Sequence, residues 1–328
     1  MERYKPTFEI TNRMLNCVSS ISEKLGRIET WRTLERQPHL RRNNRIQSVH
    51  SSLKIEANSL SLDSVRDVLN AREVIGPARE IQEVKNAFAA YDQIGAVDPY
   101  SLDDLLRLHG VMTRLTVEGS GVFRSGAEGV YRGGVCIHIA PPPEMVPSLM
   151  GQLFDWIAAR RGEIHPLILS SAFHYEFVFI HPFRDGNGRM ARLWQTALLS
   201  RWNPLFEYIP IESQIERFQD GYYDAIAVST SEGSSTAFVE FMLERIDEVL
   251  DRVIAQEHGG GQTEQVKRLL AAMEYDTPYT AEALMRLLGL KSRDALRNNY
   301  LNPAIEEGLI QMTVPDKPTS RNQRYIKE

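Results

Sequence analysis

Cysteine is nearly missing from this 328-residue chain. Cys17 and Cys136 stand far apart and in no metal-ligand spacing, which excludes a disulfide framework and argues against a structural zinc site. Long apolar runs are missing too. The opening MERYKPTFEI lacks the apolar centre of a signal peptide, and no uninterrupted apolar stretch reaches membrane-spanning length. No membrane partner is therefore expected, and a cytoplasmic location follows by elimination. Nor is there an excess of basic charge. The 38 Lys and Arg against 43 Asp and Glu leave a net charge of −5, which speaks against a protein that coats nucleic acid but leaves room for a local basic patch. Beyond one triple glycine there is no internal repeat or low-complexity tract. What is present, 42% hydrophobic and 25% charged residues, is the composition of an ordinary globular protein long enough for a large core and more than one domain.

One stretch concentrates chemistry: HPFRDGNGRMAR, residues 181–192. His181 titrates near neutrality and can take a proton from an attacking hydroxyl. Asp185 is a hard carboxylate of the kind Mg²⁺ accepts while keeping most of its waters. Gly186, Asn187 and Gly188 let backbone amides approach an anion, and MARLWQTALLSRW reads as a helix whose N-terminus adds its dipole. Arg189 and Arg192 share a helix face and can clamp phosphate oxygens. A lone His beside such a turn would be an ordinary helix start; base, carboxylate, glycines and arginines in one short stretch point to phosphate chemistry.

This stretch resembles the Fic family signature HxFx(D/E)GNGRxxR, with His181, Phe183, Asp185, Gly186, Asn187, Gly188, Arg189 and Arg192 at its specified positions. The resemblance runs over about residues 45–255. It implies transfer of AMP from ATP to a Ser, Thr or Tyr hydroxyl of a protein, the enzyme itself included, with release of pyrophosphate. It casts His181 as the base and Asp185 as the Mg²⁺ ligand. The 186–188 turn would hold the α-phosphate, the two arginines the outer phosphates, and Phe183 would pack the loop into the core.

The implied fold is mainly α: a Fic-type helical core with a β-hairpin flap, and a small C-terminal winged-helix domain of α+β type. The expected division is an N-terminal helical region over 1–100, a Fic core over 101–257, a linker at 258–262 and a winged helix over 263–328. Helical spacing of Met14, Leu15, Val18, Ile21, Leu25 and Ile28 predicts a first helix, and a second runs from about Pro38 to Glu56. On its own, Glu56 is a glutamate near a helix end, ordinarily a solvated charge. The resemblance supplies another reading, since some Fic proteins carry an inhibitory (S/T)xxxE(G/N) motif. Here Ser52 and Glu56 occupy it within residues 52–57. The glutamate would pair with Arg192 in place of the ATP γ-phosphate, because carboxylate and phosphate compete for one guanidinium fork. The last motif position is Ala57, with Asn58 after it, and alanine enters the turn after a helix less readily than glycine.

Further along, Ile81, Val84, Phe88 and Tyr91 form one helical stripe, and His109 falls in an apolar helix as a satisfied core histidine. Within the flap region, about 120–142, VYRGGVCIHI reads as a hairpin turning at Gly133 and Gly134. By resemblance this flap receives the target segment by strand addition, where Arg132 and His138 could touch it. HPLILSSAFHYEFVFI is apolar almost all round, as a central buried helix should be, and His174 in it reads as core packing or support for the site. Tyr222 and Tyr223 read as core aromatics; by resemblance they border the adenine pocket.

At the C-terminus three helices and a hairpin-like end form a winged-helix pattern with a recognition helix beginning near Ser292. Lys291, Arg293, Arg297, Asn298, Lys317, Arg321 and Arg324 are placed to meet DNA, while Asp294, Glu306, Glu307 and Asp316 dilute the charge. DNA binding and protein docking, a homodimer included, both stay open. Three functional readings stand: an autoinhibited protein adenylyltransferase, an enzyme that removes AMP, and a DNA-bound regulator whose Fic domain senses nucleotide. The expected partners are ATP with Mg²⁺ and a target protein at the flap.

Overall fold

A computed structural model of the chain describes residues 4–31, 38–132, 135–257, 263–274, 277–306, 309–314, 317 and 320–327. The expected linker at 258–262, the Gly133–Gly134 turn, Glu307 and Asp316 lie outside the described residues. The protein is mostly helical, as the sequence predicts, and divides into two compact units, Met1–Ile254 and Ala255–Glu328.

The first unit begins with α1 (Asn12–Trp31), α2 (Pro38–Ile55), α3 (Leu62–Leu69), α4 (Ala78–Tyr91) and α5 (Leu102–Met112). Ser61 caps α3 through Ser64 N and Ser101 caps α5 through Asp104 N, each satisfying an amide the helix cannot. A two-stranded antiparallel hairpin follows, β1 (Gly129–Arg132) with β2 (Val135–Ile139), its register shifting between Val130 and Tyr131. Next come α6 (Val146–Ala159), α7 (Pro166–Ile180) and α8 (Asn187–Trp202). Then α9 (Ile211–Arg217), α10 (Gln219–Glu232) and α11 (Thr236–Glu257) complete the run.

The core is built around α7 and α8. Phe173, Phe177, Met190, Leu193 and Trp194 have no exposed surface, and each fully buried side chain of this size contributes about 1.5–3 kcal/mol of transfer free energy. The one polar atom of the Trp194 ring is satisfied by Pro99 O at 3.0 Å. Because α7 is apolar almost all round and its few polar side chains are buried too, its place is central. Its C-terminus and the N-terminus of α8 must therefore emerge together at one end of the core, and residues 181–186 join them there.

In the second unit, α12 (Glu264–Ala272) and α13 (Ala281–Leu288) precede α14 (Arg293–Leu296), a π-turn over Arg297–Leu301 and α15 (Asn302–Glu306). Gly289 ends α13 at φ 68°, a conformation that glycine adopts freely. Strands β3 (Ile310–Met312) and β4 (Tyr325–Lys327) pair antiparallel, and Tyr279 and Tyr325 exchange two backbone hydrogen bonds of 2.9 Å that extend this small sheet. Val266, Leu269, Leu284, Leu296, Leu301 and Ile310 form its own core.

Candidate active site at the α7–α8 loop

His181 ends α7 in the left-handed region, at φ 50° and ψ 62°. A non-glycine residue holds that conformation only when its surroundings enforce it. Arg124 supplies the enforcement. It is 6% exposed, and its guanidinium donates to His181 O at 2.7 Å, Gly126 O at 2.6 Å, Pro141 O at 2.5 Å and Ile180 O at 3.3 Å. The Arg124 backbone N–H adds a bond to Pro182 O at 2.9 Å. Burial pushes the His181 imidazole down to about 4, with the Val178 carbonyl opposing, so the ring is neutral at neutral pH. Its Nδ1 lies 3.3 Å from Val178 O, a long contact. A carbonyl can only accept, so the proton belongs on Nδ1 and Nε2 keeps the lone pair a base needs.

The loop is braced from inside. Phe183 is fully buried and stacks on His109 with ring centroids 3.6 Å apart. His109 in turn accepts from Gly121 N at Nδ1 (2.9 Å), which leaves Nε2–H to donate to Asp185 O at 3.0 Å. Burial lowers His109 to about 4, consistent with that neutral tautomer. The Asn187 amide closes the loop on itself, accepting from Phe183 N at 2.9 Å and donating to Phe183 O at 2.7 Å. Its side chain thus faces the loop, leaving the backbone to meet a ligand. Gly186 has φ 84° and lies so near Thr113 that a Cβ would stand 3.0 Å from Thr113 Cγ2. The first N–H groups of α8 have no acceptor within the helix, a ready anion site.

The two arginines share a helix but turn to different partners. Arg189 reaches Asp185 Oδ1 at 2.7 Å and lies 3.8 Å from Glu83. Arg192 donates from Nε to Ser52 Oγ at 3.0 Å, and from Nη2 to Ser52 O at 2.9 Å and Glu56 Oε1 at 2.8 Å. Burial works against the Arg192 charge, but Glu56 and its other neighbours outweigh it and raise its pKa. Arg192 Nη1 remains buried without a hydrogen-bond partner.

Glu56 follows the last residue of α2 and is fixed by what comes next. Ala57 takes φ 65°, Ala57 N donates to Lys54 O at 3.0 Å, and Asn58 N to Leu53 O at 3.1 Å, the pair of bonds that closes a helix in the Schellman manner. Gln219 donates to Ile55 O at 3.0 Å, and Asn58 donates to Glu83 Oε2 at 3.1 Å. The alanine that the sequence marks as unfavourable does enter the left-handed turn, because flanking bonds hold it there.

A cavity of about 180 Å³ is lined by Glu56, His181, Gly188, Arg192, Tyr222 and Tyr223. Tyr222 serves both core and cavity: it is 2% exposed, and its hydroxyl lies 3.0 Å from His174 Nε2, while His174 Nδ1 meets Gln195 Oε1 at 2.6 Å. On the flap side, His138 Nε2 donates to Phe179 O at 2.7 Å and fastens β2 to α7. Asp185 sits at the loop's outer edge, its carboxylate 36% exposed and its Oδ2 3.0 Å from Arg79 Nη2. No group of three or more His, Cys, Asp or Glu side chains among the described residues is placed to hold a metal. A single partly exposed carboxylate still suits Mg²⁺, which usually takes one or two carboxylates plus substrate phosphates.

Sequence reasoning missed Arg124 and did not connect His109, Arg79 or Glu83 to the site. None belongs to a local motif, and each acts on residues far along the chain: Arg124 is 57 positions from His181, His109 is 76 from Asp185 and Arg79 is 106 from Asp185.

Comparison with known proteins follows the same lines. Residues 99–199 match the Fic/DOC family, and residues 264–326 match the C-terminal domain of Fic-like proteins, described as filamentation induced by cAMP. A solved Fic family protein from Desulfovibrio desulfuricans is 43% identical, covers 99% of this chain and 98% of its own, and superposes with a TM-score of 0.75. The Fic-1 structure from C. elegans, 23% identical over 75% of this chain and 74% of its own with a TM-score of 0.62, shares the fold. The protein adenylyltransferase Fic of Aedes aegypti is 32% identical over 215 residues, or 63% of this chain. The chain spans about 41% of the length of that curated relative. Among the described residues no helix is long and apolar enough to cross a membrane. With the relative from Desulfovibrio matched end to end and the signature loop folded at the mouth of the core, this chain belongs to the Fic family.

Proposed function

We propose that the protein is an autoinhibited protein adenylyltransferase that moves AMP from ATP to a hydroxyl of a protein target. The observation that carries this reading is the shared cavity of His181, Arg192 and Glu56. A neutral base and a buried guanidinium with an unpartnered Nη1 surround a space that an inhibitory carboxylate partly fills.

In the reaction, the target hydroxyl oxygen attacks the α-phosphorus in line and its proton passes to His181 Nε2. The bond from the α-phosphorus to the oxygen bridging to the β-phosphate breaks, and pyrophosphate leaves with that electron pair. The amides at the start of α8, with Gly186 and Gly188 beside them, donate to the α-phosphate as charge builds there. Arg192 takes the outer phosphate once Glu56 withdraws, and Arg189 approaches from the Asp185 side. Asp185 would hold Mg²⁺ brought in with the nucleotide, and the ion would supply neutralising charge to the phosphates. Tyr222 and Tyr223 flank the cavity where the adenine would lie. The β1–β2 hairpin presents the target segment by strand addition. Serial positioning and electrostatics suffice, since phosphoryl transfer asks little covalent chemistry of the protein.

A second reading is favoured by one feature: Glu56, 38% exposed at its side chain, shares the cavity with His181. There it is placed to orient a water that attacks the phosphorus of AMP carried on a protein hydroxyl; the bond from that phosphorus to the hydroxyl oxygen breaks, AMP leaves and the oxygen takes up a proton. Incubation with α-labelled ATP and Mg²⁺ separates the two. Label on the Glu56→Gly protein, weak on wild type and missing from His181→Ala, supports transfer with inhibition. No label on any of the three, with AMP released from a modified protein by wild type and not by Glu56→Gly, supports removal.

A further inference from the structure

The second unit carries a feature that the AMP-transfer site does not use. A groove of about 680 Å³ runs between the face of α14 with its π-turn and the chain entering β4. We infer that this groove is a docking face for double-stranded DNA.

Four guanidiniums line it from two separate elements, Arg293 and Arg297 on the helix and Arg321 and Arg324 beside the hairpin. Glu282 and Asp294 also line it, so the local balance stays positive although the whole chain carries −5. Arg293 pairs with Glu282 at 3.1 Å, but both side chains are mostly exposed, 69% and 72%; such a pair is held weakly and exchanges readily for a phosphate. Thr280 and Ala281 bring the N-terminus of α13 to the same wall, where free amides favour an anion.

A further group points to a ligand. Gln323 lines the groove and is 6% exposed, and its Oε1 is buried without a hydrogen-bond partner while Nε2 donates to Arg324 O at 2.6 Å. An orphaned acceptor beside four cations can take an amino donor on a base edge once the Gln323 side chain turns toward the groove.

The layout matches the partner. Helix α13, a short turn capped by Ser292, helix α14 and an adjoining antiparallel hairpin reproduce the helix-turn-helix with a wing. In that geometry the second helix enters the major groove and flanking elements grip the backbone. An acidic protein segment fits less well. Protein interfaces draw their energy from apolar and aromatic anchors, whereas Leu296 and Leu301 in this wall are 1% and 2% exposed and already spent on the unit's own core.

The test uses the full-length chain and a fluorescein-labelled mixed-sequence duplex of about 20 base pairs, read by anisotropy from about 50 to 200 mM NaCl. Expected is binding near 10⁻⁶ M at the lowest salt, roughly the range of sequence-independent association, weakening steeply as salt rises. Combining Arg293→Ser, Arg297→Ser, Arg321→Ser and Arg324→Ser should lower affinity about tenfold or more and flatten the log–log salt slope by about 3 to 4, since each phosphate no longer neutralised removes close to one from the slope. Lys267→Ala, outside the groove, should bind as wild type does. So should His181→Ala, so failure here leaves the transferase reading untouched. Circular dichroism melting checks that the fourfold variant folds. The inference is overturned if the duplex does not bind, or if the fourfold variant binds it undiminished. It is equally overturned if an A-form RNA duplex, whose narrow major groove excludes a helix, or poly-glutamate binds as tightly as DNA.

Discussion

Glu56 is seated against Gly188: a Cβ built on that glycine would overlap Glu56 Oε1. The turn after α2 and the start of α8 therefore meet at a motif position that has no side chain, the same absence that would let a phosphate approach closely under the proposed function.

Removing the carboxylate should open the site. Glu56→Gly deletes the acceptor 2.8 Å from Arg192 Nη2, a hydrogen bond between charged groups worth about 1.5–3 kcal/mol. Self-labelling from α-labelled ATP should rise about 10- to 100-fold, in proportion to that energy. Calorimetry should show tighter ATP binding. Unchanged labelling and unchanged ATP affinity would remove Glu56 from any inhibitory role.

Ala57→Gly should act in the opposite sense. The left-handed conformation at φ 65° costs an alanine about 1 kcal/mol or more, partly offset by the greater freedom glycine has when unfolded. We expect the melting temperature to rise by about 1–3 °C, with labelling no higher than wild type because the turn that presents Glu56 is firmer. A drop in melting temperature would contradict the strain argument.

Arg124→Lys should fail to substitute for arginine. A single ammonium cannot reach the four carbonyls that the fork satisfies. Stability should fall by about 2–4 kcal/mol in urea denaturation, as expected when buried polar groups lose a shared partner. In the Glu56→Gly background kcat should drop more than KM rises, because His181 would leave its strained position. An Arg124→Lys protein with wild-type stability and kcat would show that the brace is redundant.

Acidity should affect activity and stability in separate ways. With His181 held down near 4 by burial, the base stays neutral well below the ordinary histidine value. Labelling by Glu56→Gly should therefore persist as pH falls through 6.5 and decline only toward 4. An inflection at the ordinary histidine value would place the base elsewhere. For stability, His181 and His174, the latter pushed to about 3 by burial, take up protons more readily when unfolded. Their contribution is complete above about 6.5 and is lost as pH falls toward the folded values. Glu176, raised to about 7 by burial, opposes this, since it favours the folded state more as pH falls from 7 toward 4.5. Six histidines are lowered by burial, His50, His109, His138, His165, His174 and His181, against two glutamates raised by it, Glu176 and Glu212, so urea midpoints should decrease from pH 7 to pH 4.

Much of the architecture is local and was legible in residue order. The stripe of Ile81, Val84, Phe88 and Tyr91 lies on one helix, the all-apolar stretch before His181 is the buried α7, and VYRGGVCIHI is the β1–β2 pair. Helix periodicity, caps and hairpin turns depend on residues a few positions apart, so residue order alone set the elements, the helical class and the place of the 181–186 loop ahead of α8. Which distant residues meet is set by packing. The Glu56–Arg192 pair, 136 residues apart, was implied by the resemblance, whereas Arg124, 57 from His181, belongs to no motif. Arg189 and Arg192, alike in the signature, diverge because α4 offers Glu83 to one, while α2 and the turn after it offer Ser52 and Glu56 to the other. No pattern of neighbours encodes those pairings; they follow from packing several helices around α7 and α8, where each buried cation must find whatever acceptors the fold brings within reach.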